Sequence, residues 1–202
     1  MPVNNSSKQP RLRISNVFKR FGSTLALGGV SLEIASGEVH ALIGENGAGK
    51  STLMKVLSGA HLPDSGILEL DGKLFTPSDP LYARNSGIAM IYQELNLAPE
   101  LSVEENILLG REPESLGWLN FKERRRLAKN ALEEIGQPDL PMDVPVHSLP
   151  IAQQQLVEIA RAVVGEPRVL IMDEPTSSLT RVDAENLFGV IDHMSLLSLI
   201  HI

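Results

Sequence analysis

The stretch "GENGAGKS", residues 44–51, decides the fold class. It matches G-x-x-x-x-G-K-[S/T] at every fixed position. It lies between a short apolar run, "VHALI" (39–43), and a helical segment that ends at Gly59. A glycine-rich loop of this kind turns successive backbone N–H groups inward, and the helix that follows adds the positive end of its dipole. The stretch therefore predicts a phosphate-binding loop between a buried strand and a helix.

Two side chains of this loop are expected to meet a nucleoside triphosphate directly. Lys50 would bridge the β- and γ-phosphates, and the Ser51 hydroxyl would ligate Mg²⁺. A chance glycine turn is the alternative, and the flanking strand and helix patterns argue against it. The predicted ATP-binding residues of the loop are Gly44, Glu45, Asn46, Gly47, Ala48, Gly49, Lys50, Ser51 and Thr52.

A second stretch, "VLIMDE" (169–174), ends a buried strand with two carboxylates. Asp173 would join the Mg²⁺ shell directly or through water, and Glu174 could orient and deprotonate the attacking water. The alternative is that both acids merely belong to the start of a helix. Together with the phosphate loop, the stretch indicates a nucleotide hydrolase that uses ATP and Mg²⁺.

Further strand patterns surround these two stretches. "VSLEI" (30–34) alternates like a half-buried strand, "ILELDGKLF" (67–75) predicts a hairpin that turns at Asp71-Gly72, and "GIAMIYQ" (87–93) predicts a buried strand. The predicted fold class is α/β. It has a P-loop nucleotide-hydrolase core with a mostly parallel sheet, an N-terminal antiparallel β region and a helical insertion.

Helical signals fill the insertion, at about 100–164, and return after residue 180. Ser102 and Glu105 form a capping-box pair, and Asn120 and Glu123 form a looser one. Near the end of the chain, Thr180 and Asp183 can cap a helix. Its apolar positions follow helical spacing at Leu187, Val190, Ile191 and Met194.

Composition excludes several classes of protein. The 202 residues carry a formal charge of −7, which argues against a general nucleic-acid binder, so the basic run "KERRR" (122–126) is interpreted as a solvated helix face. No cysteine is present, which excludes disulfides and thiolate metal sites and fits a reducing cytosol. No signal peptide and no apolar stretch of about 18 residues is seen, so a role at a membrane would be exerted from its surface.

The order of "GENGAGKST", "IYQE", "LPIAQQQLVEIARA" and "LIMDEPTSSLT" resembles the ATP-binding cassette family from Leu12 to about Met194. The stretches "GIAMIYQELNLAPELSVEENILLGRE" and "AQQQLVEIARAV" resemble the first cassette of double-cassette ATPases that drive bacterial monosaccharide importers of the ribose, xylose and galactose type. The resemblance implies an ATPase at the cytoplasmic face of the inner membrane. Its partners would be sugar permease subunits, a second cassette normally fused in the same chain and, indirectly, a periplasmic sugar-binding protein, with no nucleic acid.

The resemblance also implies roles for two residues outside the motifs above. Phe21 in "KRFG" matches the aromatic residue that stacks on adenine, the alternative being a core residue. Gln93 in "YQE" matches the glutamine that touches Mg²⁺ and the attacking water, the alternative being a plain loop residue. The implied catalytic residues are Glu174, Gln93 and Lys50, and the implied metal ligands are Ser51, Gln93 and Asp173. The five histidines match no functional position and are interpreted as structural or surface residues.

The cassette signature departs from the family's Leu-Ser-Gly-Gly-Gln pattern. Here the matching residues are Leu149, Pro150, Ile151, Ala152 and Gln153. Pro150 offers the γ-phosphate of an opposing cassette neither a hydroxyl nor an N–H, so we expect a weakened site there. Similarly, Ser178-Leu179-Thr180 stands where most cassettes have Ala-Leu-Asp.

The resemblance ends before the chain does. We expect an incomplete cassette at 11–194 and a non-native or frame-shifted tail at 195–202, because "SLLSLI" resembles nothing in the family and His201 is too early for the histidine expected near position 206. The second cassette of the subfamily is not in this sequence. Three functions stay open: an importer ATPase, a soluble cassette protein of DNA repair or translation, and a fragment that binds ATP with little or no turnover.

Overall fold

The computed structural model describes residues 9–45, 47–115, 118–176, 179–195 and 200–201. Its strands are β1 Leu12–Phe21, β2 Thr24–Ile34, β3 Ser65–Leu70, β4 Lys73–Leu74, β5 Ile88–Ile91, β6 Glu114–Ser115, β7 Trp118–Leu119, β8 Val169–Met172 and β9 Ile200–His201. Its helices are α1 Lys50–Leu57, α2 Pro80–Asn85, α3 Val103–Leu108, α4 Phe121–Glu134, α5 Ile151–Val163 and α6 Arg181–Ser195, with one 3₁₀ turn at Val146–Ser148.

The N-terminal half forms an antiparallel sheet in the order β2-β1-β3-β4. The predicted hairpin is confirmed: Leu70 pairs with Lys73 across a two-residue turn in which Asp71 and Gly72 have φ of 50° and 69°. Positive φ at both central residues is the conformation that matches the twist of paired strands. The sequence "DG" is therefore sufficient to place this turn.

The second sheet is parallel, in the order β5-β8-β9, and it separates two apolar cores. Alternate residues of β8 point to opposite faces. Val169 and Ile171 pack with α1 and the antiparallel sheet, whereas Leu170 and Met172 pack with the helices of the second half. The sheet thus joins the phosphate-loop helix to the helical insertion through one shared layer.

The expectation of a buried strand at 39–43 is wrong. Val39 makes a single isolated bridge, residues 40–45 have no regular secondary structure, and Ile43 is 94% exposed. A parallel strand is stabilised by hydrogen bonds to neighbours on the sheet, and the described ladders of that sheet join only β5, β8 and β9. An apolar run predicts a tendency to be buried, but the pairing depends on a neighbour that the run itself does not specify.

Helical signals in the second half are confirmed where they were strongest. Ser102 and Glu105 form a complete capping box at the start of α3. Asn120 accepts a hydrogen bond from the Glu123 N–H at the start of α4. Thr180 Oγ1 accepts from the Asp183 N–H at the start of α6, and that helix buries the four predicted residues Leu187, Val190, Ile191 and Met194.

The tail predicted at 195–202 lies largely outside the described residues. Ser195 ends α6, and Ile200 and His201 form β9, which pairs with Val169 and Leu170 of β8 in parallel. The interpretation of the tail as non-native stays a prediction.

The basic run at 122–126 is more than a solvated face. Glu104 of α3 is only 5% exposed, and its carboxylate accepts from Arg124 Nε at 2.7 Å and from Arg125 Nη1 at 3.2 Å. Arg125 also reaches Asp143, which raises the pKa of that guanidinium. These pairs tie α3 to α4 across the helical half.

Replacing Glu104 by glutamine is expected to lower the free energy of unfolding by about 2 kcal/mol, because it removes the buried charge that strengthens the hydrogen bonds from Arg124 and Arg125, while Arg125 keeps its pair with Asp143. Urea unfolding measures the change. Glu133→Gln is the control, since its pair with Lys129 is at least half exposed on both sides and should contribute less than about 0.5 kcal/mol. Equal effects in the two variants would contradict a structural role for the Glu104 cluster.

Candidate nucleotide-binding site

The lysine of the phosphate loop closes that loop on itself. Lys50 Nζ donates to the Gly44 carbonyl at 2.5 Å and to the Glu45 carbonyl at 3.1 Å. The Ala48 N–H donates to the Glu45 carbonyl at 3.1 Å and forms a turn inside it. The ammonium group therefore already lies against the backbone of the predicted cradle. Asn46, also predicted to bind nucleotide, lies outside the described residues.

The last glycine of the loop fixes it against the antiparallel sheet. Gly49 has φ +90° and directly precedes α1, and a Cβ at this position would lie 2.4 Å from the Ala26 carbonyl oxygen of β2. Only glycine allows both this conformation and this close approach. Lys50, Ser51 and Thr52 then form the first turn of α1, where the free backbone N–H groups favour an anion.

The predicted carboxylates lie where β8 ends beside β5. Met172 pairs with Ile91 in parallel, and the Asp173 N–H extends the ladder by donating to the Ile91 carbonyl at 3.0 Å. Gln93 follows β5 by two residues and is exposed. In open α/β sheets, ligands bind outside the carboxyl ends of the strands. The fold therefore brings Gln93, Asp173 and Glu174 to one edge of the sheet.

Glu174 has an unusual backbone conformation. Its φ is +47°, in the left-handed region that glycine favours, although the residue is a glutamate. The residue that follows it is a proline. Such a conformation costs on the order of 1 kcal/mol or more and is found preferentially at active sites. The strained backbone coincides with the position that the sequence predicts to be the general base, and Glu166 before β8 has a similar φ of +48°.

The predicted metal ligands suit magnesium chemically. A hydroxyl from Ser51, a carboxylate from Asp173 and an amide oxygen from Gln93 are hard oxygen donors, which Mg²⁺ prefers. Within the described part of the chain, no group of three or more His, Cys, Asp or Glu side chains could hold a metal alone. This donor set therefore fits an ion that is shared with the phosphates of a nucleotide.

Phe21 is not a core residue, because its side chain at the end of β1 is 44% exposed. Its ring makes an edge contact with His61, with centroids 5.1 Å apart and planes at 67°. Lys19 Nζ lies 5.6 Å from the same ring centroid. Part of the side chain stays exposed beside these two contacts, so a flat ligand such as a base could reach it.

The signature residues lie at the start of α5. Leu149 is buried, Pro150 occupies the N-cap with no side-chain hydrogen bond, and Ile151 is exposed. The Gln154 amide donates to the Leu149 carbonyl at 2.9 Å. Proline is tolerated here, yet it gives this helix end no capping hydroxyl. Ser178, in the adjoining motif, lies outside the described residues.

Sequence reasoning missed a groove between the parallel sheet and the helical half, whose largely apolar walls carry several charged side chains. It is a cavity of about 550 Å³, bordered by α2, β5, the residues after α3, and α5, and it contains Arg84, Arg111 and Arg161. Arg111 Nη1 is buried without a hydrogen-bond partner. Burial, and then the charges of Arg84 and Arg161, lower the pKa of Arg111. The groove therefore concentrates positive charge around an unsatisfied guanidinium.

A carboxylate in the same groove is also incompletely satisfied. Glu158 is 7% exposed, its Oε1 accepts from the Asn96 N–H at 2.6 Å, and its Oε2 has no partner. Burial raises the pKa of Glu158. The one sequence signal was the position of this acid among apolar residues on the inward face of α5.

Comparison with known proteins now identifies the family. The sequence profile described as "ABC transporter" matches residues 27–177. The chain belongs to the ABC transporter family. This agrees with the site, since the match includes the phosphate loop, Gln93, the signature residues and the strained Glu174. Among the helices that the structure describes, none is both long and apolar enough to cross a bilayer.

Relatives of this ABC cassette chain are named as sugar import proteins. It is 50% identical over 181 residues to the ribose import ATP-binding protein RbsA of Bacillus licheniformis, covering 89% of this chain and 36% of that protein. It is 46% identical over 194 residues to a putative ribose/galactose/methyl galactoside import ATP-binding protein of Burkholderia ambifaria, with 96% and 37% covered. The chain thus spans about a third of the length of these relatives.

Solved structures confirm the fold class. The ADP conformation of MJ1267, an ATP-binding cassette of an ABC transporter, superposes with a TM-score of 0.86 at 30% identity, covering 96% of this chain and 80% of that one. CbiO1 from Clostridium perfringens, part of the ABC transporter complex cbiONQ, gives 0.83 at 30% identity, with 96% and 78% covered. The α/β P-loop nucleotide-hydrolase fold with an antiparallel N-terminal sheet is therefore established.

Proposed function

We propose that this chain is the ATP-binding cassette of a bacterial monosaccharide importer, in which ATP binding and hydrolysis drive sugar uptake through a membrane permease. The proposal is supported by a phosphate loop that is closed by its own lysine, together with a sheet edge that presents Gln93, Asp173 and a strained Glu174. The names of the relatives support the sugar class. The cassette would act as a peripheral protein at the cytoplasmic face of the membrane, with a second cassette and, indirectly, a periplasmic sugar-binding protein as partners.

Each predicted residue then has a defined task. Phe21 stacks on adenine, while the loop N–H groups and Lys50 surround the phosphates. Ser51, Gln93 and Asp173 would hold Mg²⁺, which when bound neutralises charge on the phosphates. Glu174 accepts the proton of the attacking water, and Gln93 positions that water.

The arginine groove is the surface that we assign to the permease. The Arg84 side chain makes no hydrogen bond or ion pair with any described residue, and Arg111 Nη1 is buried without an acceptor. A buried N–H without an acceptor is costly, and a carboxylate is a stronger acceptor for a guanidinium than a neutral group. Ile91 and Tyr92 also line the groove, and they immediately precede Gln93 in the chain. An acidic cytoplasmic segment of the permease seated here would therefore touch the strand that leads to the catalytic edge.

Reversing the charge of Arg84 tests this assignment and the function together. We expect Arg84→Glu to reduce co-purification of the full-length protein with its permease by about 10-fold or more, since like charges across an interface repel and a charge-assisted bond is lost. Arg181→Glu is the control, because Arg181 is highly exposed on α6 and away from the groove. The readouts are recovery with permease-containing membranes and phosphate release from ATP.

The outcomes separate the competing functions. A soluble cassette protein of DNA repair or translation would not be recovered with the permease even as wild type. Recovery of Arg84→Glu at the wild-type level would reject the groove but not the importer. A module that only binds nucleotide would be recovered with the permease but would release no phosphate. Pro150 favours this binding-only function, because proline offers the γ-phosphate of an opposing cassette neither a hydroxyl nor an N–H.

A further inference from the structure

The segment that carries His61 is fixed by hydrogen bonds on both sides of this residue. On one side, Gly59 ends the first helix with φ +75°, and a Cβ there would lie 2.4 Å from the Asp79 carbonyl oxygen. The His61 N–H then donates to the Lys55 carbonyl at 3.0 Å. The backbone of His61 is therefore fixed to the last turn of α1, the helix that begins at Lys50 of the phosphate loop.

On the other side, Asp64 fastens the same segment to β1. Its carboxylate accepts from Lys19 Nζ at 2.9 Å and from the Arg20 N–H at 2.6 Å, and its own N–H donates to the Phe18 carbonyl at 2.9 Å. The hydrogen bond from Lys19, followed by that from Arg20, lowers the pKa of Asp64. His61 thus sits between two fixed points, with its ring against the edge-to-face neighbour Phe21.

We propose that His61 is a positioning residue that orients the ring of Phe21 for adenine and sets its distance from the phosphate loop. The inference rests on the proposed role of Phe21 as the base platform. An exposed aromatic ring at a strand end would otherwise sample several rotamers, and ordering it on binding has an entropic cost. The T-shaped contact with His61 reduces this entropic cost before the nucleotide binds. Because α1 begins at Lys50 and its Lys55 carbonyl binds the His61 N–H, the contact also fixes the position of Phe21 relative to the phosphate loop.

The test compares ATP with inorganic triphosphate, which has the phosphates without the base. We expect His61→Ala to weaken ATP binding by about 3-fold, the size of a typical aromatic pair contribution, and to leave triphosphate binding unchanged. His61→Phe should restore the ATP affinity, because it keeps an aromatic ring beside Phe21. Titration calorimetry on the intact protein supplies both dissociation constants, and His147→Ala is the control, since that histidine contacts the Pro99 carbonyl instead.

A double-mutant cycle completes the experiment. In a Phe21→Leu background, His61→Ala should have no further effect on ATP binding, since the group through which it acts is gone. An equal loss for ATP and triphosphate in His61→Ala would mean a merely structural role and overturn the inference. If Phe21→Leu lowers the preference for ATP over triphosphate and His61→Ala does not, the role of His61 fails while that of Phe21 stands. If Phe21→Leu leaves the preference unchanged, the adenine assignment itself fails.

Discussion

Replacing Lys50 by alanine is expected to weaken ATP binding by about 100-fold and to abolish measurable turnover, since charged hydrogen bonds to phosphate contribute about 3 kcal/mol. Lys50 Nζ at present donates to the Gly44 and Glu45 carbonyls. Phosphate oxygens would take over these hydrogen bonds when the nucleotide enters, so the ammonium group needs little rearrangement. Removing it deletes the positive charge at the β- and γ-phosphates and the internal closure of the loop together.

Lys55→Ala is the matched control for Lys50→Ala. Lys55 lies on the same helix, one turn further along and exposed, with no side-chain hydrogen bond or ion pair to any described residue. Both variants remove one positive charge from α1, so a difference between them reports the position and not the net charge. Titration of ATP and a phosphate-release assay on both variants measure the effect. Nucleotide affinity and turnover that are unchanged in Lys50→Ala would reject the assignment of the loop.

Local signals predicted the parts of the fold whose cause is local. The sequence "DG" at 71–72 was enough for the hairpin, because the two positive φ angles are a property of those residues. The Ser102 capping box was equally visible, since both of its hydrogen bonds span three residues. The phosphate loop belongs to the same class: its glycines, its lysine and the following helix all lie within sixteen residues, 44–59.

Features that need a distant partner could not be predicted in the same way. The run at 39–43 is apolar enough for a strand, but its state depends on a neighbouring strand. The Arg111 guanidinium approaches so closely that a Cβ on Gly165 would lie 2.0 Å from its Nη1, a proximity of residues 54 positions apart. The contact of Phe21 with His61 spans 40 positions. In each case the residue types are visible in the sequence, but whether those residues come into contact depends on the tertiary fold.

Glu174→Gln is expected to lower phosphate release by at least about 100-fold while leaving ATP binding nearly unchanged, because an amide cannot accept the proton of the attacking water. Glutamine keeps the size of the side chain. It also keeps the unfavourable left-handed backbone at φ +47°, so the variant changes proton-accepting ability with little change in shape or strain. The measurements are steady-state phosphate release by the full-length protein and the dissociation constant for ATP.

Glu166 provides an unusually close control for Glu174. It is also exposed, it also precedes a proline, and its φ is +48°, but it lies before β8 instead of after it. Glu166→Gln therefore carries the same chemical change and the same backbone strain at the opposite end of the same strand. We expect the turnover of Glu166→Gln to match that of the wild-type protein. Wild-type turnover in Glu174→Gln as well would remove Glu174 from the role of general base, and an equal loss in both variants would point to a backbone effect and not to proton transfer.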